Sequence, residues 1–211
     1  MNQPPVHVSP DEVHPHAHAT GRPKLDLAIA FSAIFISAVS LFVAIEHGKT
    51  ERDLVAANSW PFLRSIISNT YGPQGDVVIG VSNGGVGPAK LKSLEVFLDG
   101  VPVRSNLDLL RRCCGLRDET IGSQLPKGLM SSDADETVLR PGEDNPILQV
   151  HRLKAAPEVP NRFAAALLRI SFRACYCSIL DECWKSDLRS TRTIPVASCP
   201  APEHPYAPNG R

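Results

Sequence analysis

The chain has 211 residues, 43% of them hydrophobic, and its 22 basic and 22 acidic side chains cancel to a formal net charge of zero. That balance offers no overall field for polyanions, which excludes nucleic-acid binding driven by bulk charge, and the length left between the terminal segments suits one ordinary domain with no room for a second. Nineteen prolines and fourteen glycines among short β-branched runs favour a turn-rich β domain over a helical bundle.

Residues 1–24 hold five prolines and four of the seven histidines with no helical or strand period, so a disordered tail is expected there. His14, His16 and His18 form an H-x-H-x-H run. Neutral imidazoles at that spacing suit Zn²⁺, Cu²⁺ or Ni²⁺, but a tail without a fixed backbone does not hold the rings together, and a solvated tail is the favoured reading.

Residues 27–45 (LAIAFSAIFISAVSLFVAI) run nineteen positions without a charge, a proline or a glycine. A helix of that length rises roughly 28 Å, close to the hydrocarbon thickness of a bilayer, and a transmembrane helix is expected over 25–47. The run is longer and starts later than a cleaved signal peptide, so the reading is a retained signal anchor in a single-pass protein whose main partner is the lipid bilayer. Flanking charge does not orient it: Arg22 and Lys24 precede the span, and Lys49 and Arg52 follow it. Ala30, Ala33, Ser37, Ser40 and Ala44 follow a 3-4-3-4 spacing, which on a helix is a narrow seam of small residues through which two copies could pack as a homo-oligomer.

After Gly48 the segment 48–59 has good helix formers and reads as a juxtamembrane helix ended by Trp60 and Pro61. From residue 60 to 199 the pattern is that of a β-sandwich, with strands over 62–69, 77–82, 94–98 and 101–104 and an Asp99-Gly100 hairpin turn. A short helix is expected over 106–114, stopped by Gly115, and another over 158–166. Residues 116–135 read as polar and irregular, and strands follow at 136–140 and 147–153. The alternation over 168–177 is the clearest, with Leu168, Ile170, Phe172, Ala174 and Tyr176 on one face. Strands over 184–190 and 193–197 follow, and residues 200–211, with four prolines, read as a flexible tail.

Cys113, Cys114, Cys175, Cys177, Cys183 and Cys199 all follow the span. An even count confined to one domain reads as disulfides, which places that domain in an oxidising, extracytoplasmic compartment such as a periplasm. Cys177 with Cys183 is the best pair, across a short hairpin loop. Vicinal Cys113 and Cys114 are expected not to bond each other, because the ring they close is small, and instead to reach Cys175 or Cys199. Zinc is disfavoured because no C-x₂-C pair is present, and so is thiol redox catalysis at Cys113 or Cys175, because C-C and C-x-C lack the C-x-x-C arrangement.

Gly80-Val81-Ser82-Asn83-Gly84 matches the G-x-S-x-G of serine hydrolases, but a nucleophile elbow needs a following helix, and a glycine-rich loop follows instead. An anchored hydrolase using Ser82 is therefore an alternative, beside a thiol oxidoreductase, and not the main reading, and nothing in the sequence independently supports His151 as the partner of Ser82. Asp133, Asp135 and Glu136 lack the rest of a calcium loop and read as a solvated acidic turn. No cofactor is expected.

The run VSNGGVGPAKLKSLEVFLDG, the turn LRPGEDNPIL and the hairpin YCSILDECW together resemble a group of bacterial single-pass membrane proteins with one N-terminal anchor and a β-rich, immunoglobulin-like extracytoplasmic domain. The first run also resembles β-sandwich adhesion and scaffold modules. The resemblance implies a non-catalytic binding or scaffold module for a protein or envelope ligand, and it transfers no catalytic residue.

Overall fold

A computed structural model describes residues 23–116, 126–134 and 136–210. The chain divides into two units, residues 1–51 and 52–211. One helix, α1 (Pro23–Asn58), begins in the first unit and ends in the second. The expected span over 25–47 and juxtamembrane helix over 48–59 are continuous, with Gly48 inside α1. A single interior glycine costs only about 1 kcal/mol relative to alanine. Bonds across it hold the turn, with Lys49 Nζ 2.7 Å from Glu46 Oε1 and Thr50 Oγ1 donating to the Glu46 carbonyl. No residue of α1 is buried, and its mean hydropathy reaches 2.5 over its most apolar stretch, so the helix is long and apolar enough to cross a membrane.

The second unit is β-rich. Its first strands are β1 (Leu63–Tyr71), β2 (Asp76–Asn83), β3 (Ala89–Leu98) and β4 (Val101–Val103), followed by α2 (Asn106–Cys114). Then come β5 (Leu129–Ser131), β6 (Val138–Leu139), β7 (Asp144–Val150) and α3 (Glu158–Ala166). The chain closes with β8 (Ile170–Cys177), β9 (Cys183–Ser186) and β10 (Ile194–Val196).

These strands make two antiparallel sheets, one ordered β1-β2-β7-β5 and one ordered β10-β9-β8-β3-β4, with β6 added to β3. The alternation read in β8 sets the register of the second sheet. Ile170, Phe172, Ala174 and Tyr176 stand opposite Leu98, Val96, Leu94 and Leu91 of β3. All eight are buried in one cluster with Leu63, Val77, Ile79 and Val81 of the first sheet, so the apolar faces of both sheets share a core. Leu109 and Leu110 of α2 and Phe163 of α3 complete it. Helix α2 starts and stops where its sequence says: Ser105 accepts from the Asp108 backbone N–H at the N-cap, and Gly115 takes the left-handed conformation (φ 69°) at the C-cap.

The C-terminal segment departs from the expectation. Residues 200–210 were expected to be a flexible tail, but they cross the second sheet and dock. Tyr206 is fully buried, its hydroxyl donates to Asn106 Oδ1, and its backbone N–H donates to the Leu94 carbonyl. One aromatic anchor outweighs the coil tendency of the surrounding prolines. Strand β5 was also missed, falling where the sequence reads as irregular; it is held by pairing of Leu129–Ser131 with β7.

Candidate functional site

The outer face of β8 carries the residues that alternate with the core set: Arg173, Cys175 and Cys177. Cross-strand pairing puts Glu95, Ser93 and Lys90 of β3 beside them on one side, and Lys185 and Cys183 of β9 on the other beside Cys175 and Cys177. Cys177 and Cys183 lie at disulfide distance, 2.09 Å between sulfurs, as do Cys175 and Cys199. The two pairs touch, with Cys177 Sγ 3.8 Å from Cys199 Sγ. Cys175, Cys177 and Cys183 are buried, while Cys199 is half-buried.

Cys113 and Cys114 are at disulfide distance from each other, 2.08 Å, which overturns the expectation that each would reach Cys175 or Cys199. The reason lies in the topology. Cys175 faces outward from the second sheet and is taken by Cys199, while Cys114 packs into the core at the end of α2, where Arg162 Nη1 donates to its carbonyl. With four of the six cysteines used, the last two have only each other.

Beside the sulfurs lies a groove of about 790 Å³, floored by β8 and β9 and walled by residues 200–203. Three cations (Arg173, Lys185, Arg192) and three carboxylates (Glu95, Asp187, Glu203) line it, with Ile194, Pro200 and Pro202 as apolar wall. Arg173 sits over the Phe97 ring at 4.9 Å and reaches Glu95 at 4.0 Å. Glu95 also accepts from the His204 backbone N–H at 2.6 Å, which ties the C-terminal segment to the sheet. Backbone N–H donors of Ser190 and Arg189 hold Asp187 below the usual carboxylate range. Both signs of charge on a partly apolar floor suit a ligand with mixed polarity.

No family model, curated protein or solved structure matches the chain.

The remaining expected residues fall elsewhere. Ser82 is buried in β2, where it stands opposite Arg64 of β1 and Asp144 of β7, and a tight loop follows it. His151 follows β7 at the opposite end of that pairing, beyond Val150, which faces Val77. Ser82 lies five residue steps along the strand from Val77, roughly 17 Å, so Ser82 and His151 are not brought together. His151 instead bonds Asp76, Nδ1 to Oδ2 at 2.6 Å, and turns Nε2 toward the Met130 sulfur. Burial works against the charge of Asp76, but hydrogen bonds from Gln149, the Arg152 backbone and His151 outweigh it and hold this carboxyl below its ordinary value.

The glycine motif has a structural task. Asn83 is fully buried; its Nδ2 donates to the Gly87 and Leu139 carbonyls, and its Oδ1 accepts from the Phe62 and Gly85 backbone N–H groups. A side chain at Gly87 would lie 2.1 Å from the Ser59 carbonyl oxygen, and one at Gly85 would lie 2.3 Å from the Phe62 nitrogen. The loop therefore packs backbone on backbone against the segment that leads from α1 into β1.

Asp133 Oδ1 accepts from Asn209 Nδ2 and its carbonyl accepts from Asn145 Nδ2, and Glu136 has a positive φ of 50°. Asp135 and the histidines at 14, 16 and 18 lie outside the described residues. Ala30, Ala33, Ser37, Ser40 and Ala44 all lie in α1, and the Ser40 hydroxyl donates to the Ile36 carbonyl of its own helix. The groove cations were not singled out from the sequence. Their one signal is the polar half of the β8 alternation.

Proposed function

We propose that this chain is a single-pass membrane protein whose β domain, an immunoglobulin-like sandwich, is a non-catalytic binding or scaffold module facing an oxidising extracytoplasmic compartment. The observation that carries the reading is the pairing of an entirely unburied apolar helix with a β domain whose six cysteines all sit at disulfide distance. Charge on α1 is the direct test. Ile34→Arg together with Val39→Arg adds roughly 5–7 kcal/mol to insertion. Wild type is expected to stay with membranes through alkaline carbonate and the variant to leave them; release of the wild type would contradict the anchor.

The groove beside β8 supports binding, since it brings charges of both signs together beside an apolar wall; the Ser190 hydroxyl in its lining donates to Asp187 Oδ1, an oxygen that also accepts from the Arg189 and Ser190 backbone N–H groups and so serves a local turn. An anchored hydrolase at Ser82 makes the opposite prediction. A fluorophosphonate probe is expected to leave the detergent-solubilised chain unlabelled, and labelling abolished by Ser82→Ala would replace the binding reading.

A further inference from the structure

Two disulfides in contact put four sulfurs from one strand and two loop-flanked positions into a single buried cluster. Cys175 and Cys177 project from the same face of β8, Cys183 opens β9 after the 178–182 loop, and Cys199 lies in the segment after β10. The sulfurs of Cys177, Cys183 and Cys199 all lie within 4.8 Å of one another, and Cys175 is bonded to Cys199.

Four thiolates around a zinc ion at about 2.3 Å stand about 3.8 Å from one another. The unbonded contact between Cys177 and Cys199 already has that length, 3.8 Å. On reduction both bonded pairs separate, and the Cys175 sulfur, which stands outside the group of three, has to turn toward the others; Cys183 and Cys199 both adjoin loops. The surroundings favour the charge as well. A tetrathiolate zinc centre carries two negative charges, and Lys90 and Lys185 stand directly across the strands from Cys177 and Cys175 on the same face. In the disulfide form Lys90 is turned to Asp181, at 2.7 Å.

We propose that Cys175, Cys177, Cys183 and Cys199 form a tetrathiolate zinc site when the two disulfides are reduced, so that one cluster staples the end of the second sheet by sulfur–sulfur bonds or by metal according to redox state. Each disulfide takes up two electrons and two protons to give two thiols: a dithiol supplies both and becomes its disulfide, whereas a phosphine supplies the electrons and becomes its oxide, with water giving the oxygen and the two protons. The four thiols then bind one Zn²⁺ and release up to four protons. The proposal departs from the expectation, drawn from the lack of a C-x₂-C pair, that these cysteines hold no zinc. The site goes beyond the membrane reading and does not depend on it, since it is tested in purified protein.

The test uses the full-length chain in detergent, reduced with a phosphine and carrying His7→Ala, His14→Ala, His16→Ala and His18→Ala so that the tail contributes no imidazole ligand. Titration with Co²⁺ alone is expected to give the sulfur-to-cobalt charge-transfer band and the intense visible bands of a tetrahedral site, saturating at one ion per chain and displaced by Zn²⁺. Cys113→Ser with Cys114→Ser should keep the bands, and Cys177→Ser with Cys183→Ser should lose them. Thiol alkylation with peptide mapping needs no cysteine variant: Zn²⁺ should protect Cys175, Cys177, Cys183 and Cys199 and leave Cys113 and Cys114 reactive. Absence of the charge-transfer band, or equal alkylation of all six cysteines with and without Zn²⁺, would overturn the site.

Discussion

Asn83 shows how a single side chain can carry a motif that looks catalytic. Its four hydrogen bonds tie the Gly84–Gly87 loop, β6 and the start of β1 together, and all of those partners are backbone groups. Asn83→Ala leaves several of them buried without a partner, an expected loss of about 2–4 kcal/mol in urea unfolding of the domain. Gly87→Ala drives a methyl into the Ser59 backbone and should cost about 1–3 kcal/mol in the same measurement, whereas Gly142→Ala, where nothing lies within 4 Å, suffers only from its φ of 74°. Asp76 supplies a pH signature. Its folded-state carboxyl is held below the ordinary value, so its contribution is fully present above the unfolded value near pH 4 and is lost as pH falls through the lower, folded one. Wild-type stability should therefore drop between about pH 5 and pH 2 more steeply than that of Asp76→Asn, read as the difference between their urea midpoints. The buried asparagine is legible in the sequence only as N-x-G-x-G-P. Nothing local marks His151 as the partner of Asp76, because 75 residues and a strand pairing separate them.

Among the elements, those with local instructions are the ones the sequence gives away. Helix α2 is framed by Ser105 and Gly115, and β8 announces itself by alternation, whereas β5 exists only because β7 offers it an edge. Tyr206 is hidden in a proline-rich segment because its partner Asn106 is 100 residues away. The disulfides divide by the loop each closes. Cys175–Cys199 spans 24 positions, Cys177–Cys183 spans 6 and Cys113–Cys114 only 1. Chain-entropy reasoning then predicts losses of about 3–4 kcal/mol for serine replacement of the first pair and about 2 kcal/mol for the second, with under about 1 kcal/mol for the vicinal pair. Equal losses for all three in denaturant unfolding would show that native packing, not loop closure, sets their value. Helix α1 has its own test. If the seam from Ala30 to Ala44 joins two copies, Ser37→Ile should lower the dimer fraction in detergent, and an unchanged fraction would remove the homo-oligomer from the account.

At the scale of the whole molecule, the sequence separates into an apolar helix and a β domain by composition alone, and that division needs no tertiary contact to be seen. The groove does need one, since Arg173, Lys185 and Arg192 come from three segments that only the sheet order and the docked C-terminal segment bring together. The central claim, an anchored domain on the oxidising side, rests on six cysteines and one helix. It is tested most directly by labelling with a membrane-impermeant thiol reagent, with and without reductant, on intact cells and on lysed ones. The account predicts no labelling without reductant in either preparation, and labelling of intact cells once reductant is added. Full labelling that appears only after lysis and needs no reductant would contradict it.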